Sequence, residues 1–201
     1  MATTLAHRMR PTSLKDVLGQ KHIVGENALF SQFVKKKHPM STILYGPPGC
    51  GKTTIASALA NDLNIPYRLF NASTGNKKEM DIIIEEAKLS GELFVIIDEV
   101  HRLNKDKQDH LLPHIENGLL IIAGCTANPY HSINPAIRSR CQIVEVKPLS
   151  QDDIILGLNR ALTAENGLNN AYQVEDGVLS YIAQLSSGDI RYAYNCLEIS
   201  T

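Results

Sequence analysis

No run of 18 apolar residues occurs in this 201-residue chain, so no membrane-spanning helix is expected, and the opening residues Met1 to Arg8 carry no apolar core of a secretion signal. An excess of one charge is lacking as well. The formal net charge is −1, which supplies no global basic field, so any contact with nucleic acid must come from a local patch or from several assembled subunits. The four cysteines, Cys50, Cys125, Cys141 and Cys196, form no C-x-x-C pair; a reducing compartment is the simplest reading, and the expected location is the cytoplasm. His110 and His114 stand at metal-ligand spacing, but no H-E-x-x-H pattern or neighbouring cysteine pair accompanies them, and no zinc site is expected. Internal repeats and low-complexity segments are also missing. What is present, at 43% hydrophobic residues, is enough to fill the core of one large soluble domain, or of one domain with a smaller partner.

Within that composition one stretch organises the rest. Gly46-Pro47-Pro48-Gly49-Cys50-Gly51-Lys52-Thr53-Thr54 fits G-x-x-x-x-G-K-[ST]. Glycines let backbone N–H groups turn inward around an anion, the lysine reaches the terminal phosphates and the hydroxyl ligates Mg²⁺. The context supports a phosphate cradle: the strand-like run Thr42 to Tyr45 precedes it and a helix-like run, Lys52 to Leu63, follows, adding its N-terminal dipole.

Before the cradle, Pro11 to Gln20 reads as a short capped turn of helix closed by Gly19, and Glu26 to about Lys36 as a helix stopped by Pro39. After it, strands are expected over Ile65 to Asn71, Leu93 to Ile97, Leu119 to Ala127 and Gln142 to Val146. The second and third of these are continuous apolar runs, as in strands buried on both faces. Helices are expected over Lys78 to Ser90, Asp106 to Glu116 despite Pro113, and Asn134 to Ser139 with Pro135 first. Strands spaced by helices imply a parallel α/β sheet covered on both faces. From Lys147 the pattern changes: Ser150 caps a helix to about Glu165, Val174 to Leu185 is a second and Asp189 onward a third. The expected division is therefore a nucleotide-binding α/β domain over 1–148 and a small all-helical lid over 149–201.

Asp98 and Glu99 end a buried strand, where ligands bind in open α/β sheets. Beside a phosphate loop, Asp98 suits Mg²⁺ and Glu99 suits orienting the attacking water. Asn128, just past the next apolar run, could present its amide to the same crevice, or serve as a turn residue before Pro129. Spacing alone assigns no role to Arg138 and Arg140. Arg191, opening the last helix, could reach back to phosphate or pair locally.

These residues resemble an AAA+ ATPase core, and more specifically the RarA/MgsA family, the replication-associated recombination ATPases related to Werner-helicase-interacting protein. The resemblance is carried by Leu5 to Pro11, Gly19 to His22, Gly46 to Thr53, Asp98 to Lys105, Leu112 to Glu116 and Thr126 to Pro129. It implies a P-loop NTPase fold that takes ATP and Mg²⁺. On the matching positions it implies Walker A at Lys52 and Thr53, Walker B at Asp98 and Glu99, sensor 1 at Asn128, sensor 2 at Arg191, an adenine pocket lined by Val17 and Leu18, and an arginine finger at Arg140 acting on a neighbouring subunit. It further implies a homo-oligomer that acts on single-stranded or forked DNA with other replication-fork proteins. Two positions depart from the family pattern. Ser139-Arg140-Cys141 is closer to the clamp-loader S-R-C, which keeps a clamp-loader subunit as an alternative, and Gly124-Cys125 replaces a small-threonine pair. A nucleotide-gated binding module without turnover is the other alternative, and Glu99 argues against it. Members of the family continue past the lid into a helical oligomerisation region that this chain lacks. A finger supplied in trans is worth about 10³ to 10⁵ in rate, so the chain by itself is expected to bind ATP and hydrolyse it poorly.

Overall fold

A computed structural model describes residues 3–201. In chain order it contains α1 (Leu5–Arg8), a 3₁₀ turn at Leu14–Asp16, α2 (Lys21–Val24), α3 (Leu29–Lys36), β1 (Thr42–Tyr45), α4 (Lys52–Leu63), β2 (Tyr67–Asn71), α5 (Lys77–Ser90) and β3 (Phe94–Asp98). A 3₁₀ turn at Val100–Arg102 follows, then α6 (Lys105–Glu116), β4 (Leu120–Cys125), α7 (Pro129–Ser132), α8 (Pro135–Arg138), β5 (Gln142–Glu145), α9 (Gln151–Thr163), α10 (Val178–Ser186) and α11 (Ile190–Ile199).

The five strands form one sheet in the order β2-β3-β4-β1-β5, with every neighbouring pair parallel. The apolar runs explain how it is covered. Along a strand, successive side chains point to opposite faces, and on the three inner strands β3, β4 and β1 both faces are buried. Ile43, Val95, Ile97, Ile121 and Ala123 pack with Ile83, Ile84 and Leu111 of α5 and α6. Leu44, Phe94, Ile96 and Ile122 pack on the other face with Ile55 and Leu59 of α4 and with Phe30 and Phe33 of α3. The expected parallel α/β sheet is therefore the observed one.

A third apolar cluster lies in the C-terminal helices, where Ile154, Leu158, Ile182, Ala193 and Leu197 pack together. Ser150 starts this region as expected, through a reciprocal capping box in which its Oγ accepts from Asp153 N and Asp153 accepts from Ser150 N. The opening segment belongs here too. Leu5 is fully buried in the third cluster, its N–H donates to Glu198 Oε1 at 2.8 Å, and Arg8 donates to Gly167 O at 2.8 Å.

Some expected bounds shift. The helix expected from Glu26 begins only at Leu29, and α2, which was not expected, precedes it and ends where the chain leaves helical geometry at Gly25 (ψ 167°). The helix expected from Val174 starts at Val178, after Gly177 in the left-handed region. Pro11 to Gln20 yields only a 3₁₀ turn, and α1 and α7, four residues each, were not expected at all.

Candidate functional site

β1 ends at Tyr45, and the chain loops through residues 46–51 into α4. Lys52, the first residue of α4, is buried at 7% exposure. Its ammonium donates to the carbonyls of Gly46 at 2.8 Å and Pro47 at 2.7 Å. An ammonium has three donors; two fix it inside the loop and the third makes only a long contact to Cys50 Sγ at 4.0 Å, which an anion can replace. Cys50 is also buried, and its thiol donates to Pro47 O at 2.9 Å. Burial pushes the Cys50 thiol up, against the opposing pull of Lys52, so the sulfur remains neutral beside the cation.

Asp98 reaches this loop from β3, although β4 lies between β3 and β1. Gly124 of β4 makes the approach possible: a Cβ there would sit 3.3 Å from Asp98 Oδ1 and 3.9 Å from Lys52 Cβ. With that space open, Thr53 Oγ1 donates to Asp98 Oδ1 at 3.4 Å. A hydroxyl and a carboxylate facing each other are hard oxygen donors of the kind Mg²⁺ takes while keeping several waters, so the donor set fits that ion.

Glu99 leaves the strand in the left-handed region, with φ 56° and ψ 42°, an uncommon conformation for a side-chain-bearing residue that concentrates at functional sites. Its Oε2 accepts from Thr126 Oγ1 at 3.1 Å and lies 3.2 Å from His101 Nε2.

These groups open onto a cavity of about 560 Å³ between the sheet and the C-terminal helices. Pro48 to Thr54, Asp98, Glu99, Val17, Leu18 and Arg191 all line it. Val17 and Leu18 face it together with Ile190 and Tyr194 of α11, and Leu18 packs against Gly157 of α9. Burial pushes the Tyr194 phenol up to about 12, so this end of the cavity carries an uncharged aromatic ring. The lining also includes Arg8, Arg10 and Arg160, which sequence reasoning missed. Arginines on short or exposed segments look like ordinary surface, and only the folding of α1 and α9 toward the loop brings them together. Five cations, Arg8, Arg10, Lys52, Arg160 and Arg191, thus face three carboxylates, Asp16, Asp98 and Glu99. A chain of net charge −1 concentrates positive potential where a polyanion would sit.

Four of the residues singled out from sequence lie outside the lining. Gly46 and Pro47 sit behind Lys52 as its carbonyl partners. Asn128 is exposed and caps α7, its Oδ1 accepting from Tyr130 N at 2.9 Å. Arg140 lies just before β5, on a surface with Ser41, Glu116 and Leu119 at the amino ends of β1 and β4. Its guanidinium pairs with Glu116 at 2.5 Å and donates to Ala136 O at 2.7 Å. The phosphate loop follows the carboxyl end of β1, so Arg140 is across the sheet from its own loop. Among the described residues no group of three or more His, Cys, Asp or Glu is placed to hold a metal ion.

The family model described as "ATPase family associated with various cellular activities (AAA)" matches residues 42–149. Replication-associated recombination protein A of Bacillus subtilis (strain 168) is 50% identical over 199 residues, covering 98% of this chain and 47% of that protein. The protein of the same name from Haemophilus influenzae is 38% identical, over 97% of this chain and 45% of its own length. The chain thus spans about half the length of these relatives. Among solved structures, the Thermotoga maritima RuvB Holliday junction branch migration motor superposes with a TM-score of 0.75 at 25% identity, covering 94% of this chain and 63% of that one. The chain belongs to the ATPase family associated with various cellular activities (AAA), and the resemblance to the replication-associated recombination ATPases read in its sequence is borne out by these relatives.

Proposed function

We propose that the chain is the Mg²⁺-dependent ATP-hydrolysing part of a homo-oligomer that acts on single-stranded or forked DNA at stalled or damaged replication forks. The observation that carries the hydrolytic part is the meeting of Thr53 and Asp98 at 3.4 Å, beside a lysine held inside the phosphate loop and a second acid at the same strand end. The relatives named for replication-associated recombination support the DNA setting.

In this reading residues 1–148 bind the nucleotide and 149–201 act as a lid. Lys52 and the backbone N–H groups of 49–53 hold the β- and γ-phosphates, while Arg191 approaches them from α11. Val17, Leu18, Ile190 and Tyr194 receive the base. Thr53 and Asp98 are the residues that would hold Mg²⁺, which when bound offsets charge on the phosphates. Glu99 orients a water and takes its proton as the water oxygen bonds to the γ-phosphorus and ADP departs with the electron pair of the broken P–O bond. Asn128, at the rim, serves the same water or the γ-phosphate once the lid closes. Arg140 completes the site of a neighbouring copy.

The test is ATP turnover measured with and without forked DNA, for wild type and E99Q. Stimulation by DNA and loss of turnover in E99Q are expected. Turnover that is salt-independent, indifferent to DNA and unchanged in E99Q would leave a nucleotide-gated switch as the better account.

A further inference from the structure

We propose that His101 is a positioning residue which, with Thr126, fixes the carboxylate of Glu99 for the attacking water; this rests on the hydrolytic reading above. Glu99 lies just past the regular strand in a left-handed turn, so no ladder neighbour determines where its flexible side chain points. Two side chains from different segments lie against it instead. Thr126, immediately after β4, donates its hydroxyl to Oε2 at 3.1 Å; His101 holds Nε2 at ion-pair distance, 3.2 Å, from the same oxygen and hydrogen-bonds the Thr126 hydroxyl at 3.5 Å.

The Thr126 hydroxyl gives its own proton to Glu99, so a neutral His101 must carry its proton on Nε2 to donate to that hydroxyl. Its other nitrogen, Nδ1, then faces Cys125 Sγ at 3.5 Å, and that thiol donates elsewhere, to Ala127 O at 2.9 Å. Burial pushes the Cys125 thiol up, so its sulfur stays neutral beside the ring. The His101 side chain is only 12% exposed, which limits the orientations the ring can take. Among the described residues the Thr126 hydroxyl and the His101 ring behind it both lie against Oε2, leaving Oε1 to accept from water. A general base is effective only when held within hydrogen-bond reach of the proton it removes, and this arrangement spares the glutamate a search among its rotamers at each turnover. His101 touches neither phosphate nor water; it acts through Glu99.

Single-turnover hydrolysis and nucleotide affinity are measured for H101F, H101Q, T126V and T126S, each alone and with E99Q. T126V removes the donor to Glu99 and H101F removes the ring that backs that donor, each at nearly constant volume, and a hydrogen bond to a charged acceptor is worth a factor of roughly ten or more. The rate should fall about tenfold in each, with ATP affinity changed less than about twofold. H101Q and T126S restore a donor and should recover most of the loss. In the E99Q background H101F should cause no further fall. An unchanged rate in H101F, or an equal fall with and without Glu99, overturns the proposal. A wild type that does not hydrolyse ATP even when assembled would instead defeat the hydrolytic reading. The clamp itself is checked independently of turnover by nitrogen NMR of His101: one Nε2–H tautomer is expected in wild type and a tautomer mixture in E99A, whereas a mixture in wild type refutes it.

Discussion

The carboxylate of Asp189 occupies the space that a side chain on Gly49 would need. Asp189 is also the N-cap of α11, where its side chain accepts from Tyr192 N, so the capping residue of a lid helix rests directly on the phosphate loop. The neighbouring Cys50 thiol registers this proximity, since the Asp189 charge is among the influences that raise it. Any rotation of α11 that moves Arg191 relative to the loop must also move Asp189 across Gly49. In the proposed reading, this contact is what links nucleotide in the loop to the angle of residues 149–201.

This contact predicts that G49A is destabilised for two separable reasons. Gly49 has φ +75°, and a side-chain-bearing residue in that region costs about 1–2 kcal/mol, to which overlap with the Asp189 carboxylate is added. D189S retains an oxygen able to cap α11 while vacating volume. Chemical denaturation should therefore show G49A/D189S to be more stable than the sum of the two single effects allows. Strict additivity would mean that the two residues do not meet in solution.

The legible parts of this site are those whose signals are local. Gly46 to Thr54 is one continuous motif, and the helix expected over Lys52 to Leu63 has those bounds in the structure. Asp98 and Glu99 were readable because a run of consecutive apolar residues fixes where a buried strand ends. By contrast, α1 is four residues long, too short to show any periodicity, and its partners Glu198 and Gly167 lie at the far end of the chain. Nothing local to Arg8 or Arg160 announces that both will face the phosphate loop. Asn128 was legible as a polar residue at a strand end, but whether it acts as a cap or as a ligand depends on its neighbours, and here its Oδ1 caps α7. The role of Gly124 was hidden for a similar reason: the benefit of a missing side chain appears only when Asp98 leans across it.

Alkaline pH should weaken the fold through Cys141 and Tyr194. Burial pushes Cys141 from its ordinary 9.0 up to about 12, and Tyr194 from 10.0 up to about 12. Below their unfolded values both states hold the proton, and the stability is fully present. Between about 9 and 12 the folded chain keeps protons that the unfolded chain has released, so stability falls as pH rises through that window. C141V removes the thiol's share. Its denaturation midpoint should decline less steeply than that of wild type from about pH 8.5 to 11, and parallel slopes would show that the Cys141 environment is not as described.

Nucleotide should stabilise the fold through Lys52 and Thr53. A ligand at 100 times its Kd adds about 2.7 kcal/mol to a folded state that alone binds it, or roughly 5–10 °C in melting temperature for a chain of this size. K52A leaves the Gly46 carbonyl without its side-chain donor and the Pro47 carbonyl with only the Cys50 thiol, so its own melting temperature will change. The informative quantity is the increment on adding Mg-ATP, which should vanish in K52A. In T53A, which removes the hydroxyl facing Asp98, the increment should survive without Mg²⁺ and lose the part that Mg²⁺ contributes. A full Mg-dependent increment in T53A would remove Thr53 from the metal site.

Arg140 supplies the last prediction, since its position across the sheet from its own phosphate loop leaves a neighbouring copy as the place where it can meet phosphate. In the structure it is held by Glu116 and by the Ala136 carbonyl. An exposed pair of this kind is worth about 1 kcal/mol or less, so it can be exchanged for a stronger anionic partner. R140A should therefore bind ATP with wild-type affinity and turn it over at least about 10³-fold more slowly when assembled. E99Q lacks the base but keeps the finger, whereas R140A lacks the finger but keeps the base. Mixing the two inactive proteins under assembling conditions should restore turnover that neither shows alone, because some sites will combine Glu99 of one copy with Arg140 of the next. Mixed assemblies that form yet remain inactive would place Arg140 outside the neighbour's site.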